Sequence, residues 1–382
     1  MMLEPTEAQA AVAATSRAYA RDRIAPVVRE NDRSEKFPVQ LIRGLGELGL
    51  LAVNVPGEFG GSEAGAVAAT LSMMELAAVD ASVAVIVGVT NMVAEIISRY
   101  GTPEQKERHL PRLASGEYLA GAFGLSEPGA GSDPSAIGTR AERRGDRWVL
   151  DGAKQWITSG DVAGVVVTWA RTDPALAGGR GITAFLLQPG MHGFSVGRHE
   201  EKLGQRCSST VALAFDGVEL PDEARLGAVG QGLAIALSAL DGGRIGIAAQ
   251  ATGTMRAAID ASSAYAKERR TFGKPIAEHQ AIAFMLADMA TSHSASRLLT
   301  LRAAALKEAG LPFTQEASMA KLFASEASSR VVDAAVQIHG GYGYTEEYPV
   351  AKLYRDARVQ RIYEGTSEIQ RMVIARQLLR ES

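Results

Sequence analysis

The sequence predicts an α+β chain in three parts, helical, then strand-rich, then helical, and three features carry that prediction. Capped, apolar-periodic segments fill residues 1–120. Short β-branched and aromatic runs broken by Gly, Asp and Pro fill 121–228 and read as a small middle antiparallel β domain. Long helical patterns return over 229–382.

Taken in order, Thr6 and Gln9 form a capping-box pattern that opens a helix running to about Arg29. Further helices are predicted over Val39–Leu48, Ala64–Val79, Ser82–Tyr100 and Glu104–Ala114, and "NVPGEFGGS" between them is a glycine-rich loop. The runs "RWVLDGAKQWITSG", "AGVVVTWART", "GITAFLLQPG", "FSVGRHEEKLG" and "SSTVALAFDGVEL" are strand and turn signals. After "GAVGQG" the helices are longer, and Ile282, Met285, Leu286 and Met289 make one apolar stripe of a helix ending at Gly310-Leu311-Pro312. There is no internal repeat and no low-complexity linker.

Composition narrows the function. The chain has 382 residues, 46% hydrophobic and 22% charged, with a formal net charge of −3. That balance argues against binding nucleic acid or an anionic membrane. Apolar stretches such as "AVDASVAVIVGVT" are broken by polar residues, so they read as buried helix and no membrane span is expected. The single cysteine, Cys207, allows no intrachain disulfide and reads as a small packing residue in a reducing compartment. The N-terminus "MMLEPTEAQA" is acidic and lacks a basic leader, so a cytoplasmic location is expected. Neither G-x-G-x-x-G nor a Walker motif occurs, and no two of the six histidines share a helical spacing, which argues against a metal site.

Five places look built for a ligand. In "AFGLSEPGAGSD" glycines and the hydroxyls of Ser126 and Ser132 follow an apolar strand, which suits a strand-ending turn or a loop presenting amides to an anion or carbonyl. In "KQWITSG", Trp156 and Thr158 fall on one strand face, an aromatic plane beside a hydroxyl, suited to a flat heterocycle or to a sheet core. In "ERRTFGKP", followed by Gln280, Arg269, Arg270 and Phe272 close a long helix and suit a pyrophosphate or the helix dipole alone. In "QIHGGYGY", His339 stands before paired glycines as a helix C-cap or a ligand loop. Finally, "VQRIYEGTSEIQR" puts Glu364 on a loop beside Gly365, just before a helix that Thr366-Ser367-Glu368 can start.

In order and spacing, "LSEPGAGSD", "QWITSG", "ERRTFGKPIAEHQAI", "QIHGGYGY" and "YRDARVQRIYEGTSEIQR" resemble the acyl-CoA dehydrogenase family, most of all its short-chain, butyryl-CoA members, and the likeness runs along nearly the whole chain. The resemblance implies an N-terminal helical domain, a middle β domain and a C-terminal four-helix bundle, with FAD where they meet. It implies that Glu364 is the catalytic base, taking the α-proton of an acyl-CoA while flavin N5 takes the β-hydride. Phe123, Leu125, Ser126, Trp156 and Thr158 match flavin-contacting positions, and so do Thr366 and Glu368 after the base. Ser132 matches a position near both the flavin and the acyl-CoA, and Leu240, Asp241, Arg244 and Gly365 match substrate positions. Arg269, Phe272 and Gln280 match residues that reach the FAD of a neighbouring subunit, and Gln337, Ile338, Gly340 and Gly341 match the loop over its adenosine-diphosphate part. Some relatives carry the base on the long helix, where this chain has Gly243.

The resemblance further implies a homotetramer, a dimer of dimers, that passes electrons to an electron-transfer flavoprotein. Butyryl-CoA is the expected substrate, with isobutyryl, 2-methylbutyryl and glutaryl thioesters open. An oxygen-using oxidase, a non-catalytic acyl-CoA or flavin-binding scaffold, and a cofactor-free helical interaction protein are the rival readings. Arg99 is open to a solvated or a specificity role.

Overall fold

The computed structural model describes residues 5–379. Its first part is helical: α1 (Glu7–Tyr19), α2 (Val28–Ser34), α3 (Val39–Glu47), α4 (Gly65–Ala77), α5 (Ala81–Tyr100) and α6 (Pro103–Ala114). The capping box forms as expected, with Thr6 N donating to Gln9 Oε1 at 2.9 Å and Gln9 N to Thr6 Oγ1 at 3.3 Å. The first helix does not stop near Arg29. A π turn at Ala20–Ile24 and a 3₁₀ turn at Ala25–Val27 carry the chain past Pro26, and helix resumes to Ser34. A proline lacks the donor and crowds the preceding turn, so a change of helix type absorbs it without breaking the rod.

The middle part holds β1 (Gly121–Gly124), β2 (Arg140–Arg144), β3 (Arg147–Thr158), β4 (Val165–Arg171), β5 (Ile182–Leu187), β6 (Phe194–His199), β7 (Thr210–Pro221) and β8 (Arg225–Leu226). The strands run in the order β6-β7-β3-β2-β4-β5-β8, with β1 added beside β4. The expectation of an antiparallel sheet needs correcting: the sheet is mixed, because β1 and β2 both pair parallel to β4. The register explains it. Gly121–Gly124 lie along Val165–Thr168, and Arg140 rejoins at Arg171. With β5 on the other edge of β4, residues 125–139 are a detour out of a single line of pairing. The ligand-like "LSEPGAGSD" segment therefore has both ends fixed to one buried strand. β4 and β5 are buried almost throughout, as continuous apolar strands covered on both faces are.

The last part is built on α7 (Gly232–Glu268), α8 (Gln280–Glu308) and α9 (Thr314–His339), with the small hairpin β9 (Arg270–Thr271) and β10 (Lys274–Pro275), then α10 (Pro349–Ala357) and α11 (Ser367–Leu378). α7, α8 and α9 pack on one another and α11 on α9, which gives the expected four-helix arrangement. α5 and α7 are long and apolar enough to cross a bilayer by length and composition, yet 67% of the apolar α5 window and 44% of that of α7 lie inside the protein. They act here as core helices. One apolar core runs from α5 and α6 through the sheet to the first turns of α7, and Trp169 Nε1 on β4 donates to Gly232 O at 2.7 Å to lock the sheet onto that helix. Cys207 is buried with Sγ 3.7 Å from Asp80, and burial pushes its thiol well above the ordinary range, so it packs and does not react.

Candidate active site

A cavity of about 1210 Å³ opens where the three parts meet. Glu364 reaches it from the loop between α10 and α11. Glu364 and Gly365 are consecutive residues in left-handed backbone, φ 55° and 89°. A non-glycine residue there is strained by about 1–2 kcal/mol, so the surroundings must hold it. They do so through the loop carbonyls: Gln370 Nε2 donates to the Glu364 oxygen at 3.2 Å and the Gly365 oxygen at 2.9 Å, and Lys321 Nζ on α9 donates to the Gly365 oxygen at 2.7 Å. Just upstream, the Tyr363 hydroxyl donates to Gln250 Oε1 and accepts from Gln205 Nε2 at 3.2 Å. Thr366 caps α11 by accepting from Ile369 N, which stops the helix from consuming the turn.

The carboxylate itself is left free. Glu364 Oε2 is buried and has no hydrogen-bond partner among the described residues. Burial raises its pKa to about 7, with Arg244 and Lys321 pulling the other way. Arg244 lies on α7, its Nη1 2.5 Å from Asp241 Oδ1 and 3.3 Å from Ser318 Oγ, while its Nε is buried without a partner. Gly243 sits directly beneath the carboxylate, and a Cβ built there would run into Glu364 Oε2.

The same cavity is lined by Phe123, Leu125, Ser126, Ser132, Trp156 and Thr158. Trp156 is no core residue. A bulge between Lys154 and Ile157 shifts the β3–β7 register, Trp156 takes φ 59°, and its side chain turns out so that 59% of the residue is exposed. Bulges of this kind re-aim side chains beside sites. The loop next to it is preformed: Gln155 N donates to Ser126 O at 2.9 Å, and Gly129 and Gly131 face open space where any Cβ would project. A flat exposed indole, two hydroxyls and a glycine cradle fit a flat, hydrogen-bonding cofactor such as a flavin.

Of the other residues singled out in the sequence, Leu240, Arg244, Gly365 and Thr366 line the same cavity, and Asp241 stands behind it, held by Thr314 Oγ1 at 2.6 Å. Arg99 is on the cavity wall, its Nη1 3.2 Å from Ser238 Oγ. Glu368 points to solvent on α11. Arg269, Phe272, Gln280, Gln337, Gly340 and Gly341 line no part of this cavity. They gather at one end of the helical bundle, where Arg269 stands 5.7 Å from the Tyr342 ring centroid and Phe272 is 97% exposed. The Ile338 side chain is buried in the bundle core, which leaves its backbone for a ligand. His339 is also a satisfied core residue, with Nδ1 2.8 Å from Ala335 O and its ring stacked on Tyr265.

Sequence reasoning missed Lys321, Gln370, Gln250 and the pair Glu127–Lys154. One signal was available for Lys321: it falls on the alanine stripe of α9 formed by Ala317, Ala320, Ala324 and Ala327, where a lysine is out of place.

Fold and cavity together define a three-part chain whose central cavity is lined both by a carboxylate with one buried, unpartnered oxygen and by residues suited to a flat cofactor. The chain belongs to the acyl-CoA dehydrogenase family. It matches the family's N-terminal domain over residues 6–117, its middle domain over 122–218 and its C-terminal domain over 230–379. The mitochondrial short-chain specific acyl-CoA dehydrogenase of Bos taurus is 46% identical over 367 residues, covering 96% of this chain and 89% of that one. The butyryl-CoA dehydrogenase of Megasphaera elsdenii superimposes with a TM-score of 0.97 at 42% identity, over 99% of this chain and 100% of that one. A chain from a structure described as "Electron transferring flavoprotein of Acidaminococcus fermentans: Towards a mechanism of flavin-based electron bifurcation" superimposes with a TM-score of 0.98 at 42% identity over all of both. The protein is an oxidoreductase acting on CH–CH bonds, of the short-chain, butyryl-CoA type.

Proposed function

We propose that the protein uses FAD to dehydrogenate a short acyl-CoA to the trans-2-enoyl-CoA, with Glu364 as the base that removes the α-proton. The observation that carries this reading is Glu364, whose Oε2 is buried and unpartnered and whose pKa is shifted toward neutrality, lining the same cavity as the exposed Trp156. A base with a pKa near the working pH combines a large ionised fraction with a useful driving force for proton transfer.

The cofactor residues would be Ser126, Trp156 and Thr158 on the cavity wall, with the Gly129–Gly131 loop beside them. FAD, when bound, supplies the acceptor for the β-hydride. The chain's own residues do the rest. Removing the α-proton builds negative charge on the thioester oxygen, and the backbone N–H groups of Glu364 and Gly365, which have no acceptor among the described residues, are the donors proposed for it. Gly365 is needed for the turn itself, since φ is 89° and a Cβ there would strike Gln370 Nε2, and Arg244 contributes to the electrostatics beside the proposed base. The remote cluster of Arg269, Phe272 and Gln280 would serve the FAD of a second subunit in a homotetramer, which accounts for a phenylalanine left so exposed. The names of the bovine and Megasphaera relatives favour butyryl-CoA, and an electron-transfer flavoprotein is the proposed acceptor.

Anaerobic titration of the purified protein with butyryl-CoA tests the reading, with flavin absorbance as the signal. Bleaching supports it. A yellow protein that does not bleach redirects the search to branched and longer thioesters, and a colourless protein that FAD cannot reconstitute overturns it. Peroxide release on aerobic turnover would identify an oxidase instead.

A further inference from the structure

The base loop makes one contact that the chemistry above does not call for. Lys321 is fully buried, and its ammonium has one hydrogen-bond partner, the Gly365 carbonyl. No carboxylate comes within ion-pairing distance of it among the described residues. A buried ammonium without a carboxylate is a costly arrangement. Tethering alone does not require it, because the neutral Gln370 amide already donates to the same carbonyl.

The groups around the turn show what the charge adds. From α7 come Asp241 and Arg244, tied to each other. From α9 comes Glu326, taken up by Arg361 and Ser367. From α11 comes Glu368, facing solvent; α5 contributes Met92 beside the carboxylate and, on the cavity wall, Glu95, which is paired with Lys307 of α8. Tyr363 is held by Gln205 and Gln250. Of the two cations that act on Glu364, Arg244 and Lys321, only Lys321 has no contacting carboxylate among the described residues.

We propose that Lys321 is the positioning residue of the base: its ammonium holds the Glu364–Gly365 turn through the Gly365 carbonyl and, as an unneutralised charge beside Glu364, sets that carboxylate's affinity for a proton. This rests on Glu364 being the base. An adjacent cation favours the carboxylate, so removing it raises the pKa of Glu364 and moves the acid limb of the rate profile to higher pH.

The test compares kcat against pH for the wild type, K321Q, K321R and Q370L, with butyryl-CoA and an artificial electron acceptor. K321Q keeps a donor and loses the charge, so its acid limb is expected to move up by about one pH unit. K321R should keep the wild-type limb. Q370L weakens the tether and leaves the charge, so kcat should fall with the limb unmoved. A limb that stays in place in K321Q while kcat falls would overturn the proposal and leave Lys321 a plain tether. The carboxyl band of Glu364, followed by infrared difference against E364Q, gives the same pKa without turnover. If the wild type fails to act on acyl-CoA, the functional reading falls, and the infrared shift between wild type and K321Q still decides the role of Lys321. Unchanged thermal unfolding of K321Q at one pH separates a charge effect from misfolding.

Discussion

The Glu364 carboxylate occupies the space that a side chain at Gly243 would need: a Cβ built there meets Oε2 and comes within 3.1 Å of Cδ and 3.3 Å of Met92 Sδ. The two positions compete for the same space, so a carboxylate held here by the loop calls for a glycine on the helix. Oε2 is the far end of a flexible side chain, so it can move aside. The Gly243→Ala variant should therefore fold, gaining up to about 1 kcal/mol from helix propensity. It should lose activity by about tenfold or more because the carboxylate is pushed off its line, since an ångström of misplacement is costly. Steady-state kinetics alongside thermal unfolding would show the two effects separately.

Glu364→Gln keeps shape and removes the proposed base. The expected result is a fall in kcat of roughly 10²–10⁴-fold, the usual share of general-base catalysis. Flavin content and acyl-CoA binding should be little changed, because the side chain makes no hydrogen bond that glutamine would break. Loss of flavin in this variant would mean that Glu364 is structural.

The same residue ties activity and stability to pH in opposite senses. With its folded pKa raised from 4.5 to about 7, turnover should fall as the pH drops through 7, because the reaction needs the carboxylate. Stability runs the other way. A raised carboxyl pKa contributes stability that is fully present below the unfolded value and lost as pH rises through the folded value. The Tm difference, Glu364→Gln minus wild type, should therefore grow between pH 5 and pH 8, by about 1–3 °C. Melting curves at both pH values check the sign.

Much of this was legible in the chain. The capping box at Thr6 and Gln9, the end of α8 before Gly310 and the loop position of Glu364 are local signals, and local signals survive folding. What was not legible depends on distant partners or on backbone that no propensity encodes. Lys321 acquires its meaning from Gly365, 44 residues on. Trp156 faces the cavity because of a bulge and a positive φ, where strand alternation alone left a core position equally open. The parallel pairing of β1 and β2 with β4 was hidden because pattern reports which residues alternate, not which strand they meet.

Lys154 should prove the most sensitive residue in the middle domain, although it touches no ligand position. Its ammonium, fully buried, donates to Glu127 Oε1 at 2.7 Å and to Trp169 O at 2.7 Å. Glu127 in turn accepts from the Gly138 amide at 2.6 Å and the Thr139 amide at 3.1 Å. That chain of contacts closes the 125–139 detour on itself and pins it to β4, so the loop proposed to hold the flavin depends on it. Burial and attraction oppose each other at both groups. The lysine is drawn down to about 8 by desolvation, while Lys154 and the hydrogen bonds hold Glu127 below the usual carboxylate range despite its burial. Removing one partner leaves the other charge buried and uncompensated, which costs about 3–5 kcal/mol. Lys154→Met should therefore lower the urea midpoint and the flavin content together. Restoring neutrality with Glu127→Gln in the same chain should recover much of both, because Gln keeps an acceptor for the two amides without the buried charge. Full flavin content in Lys154→Met at wild-type stability would show that the loop is held by its strand ends alone.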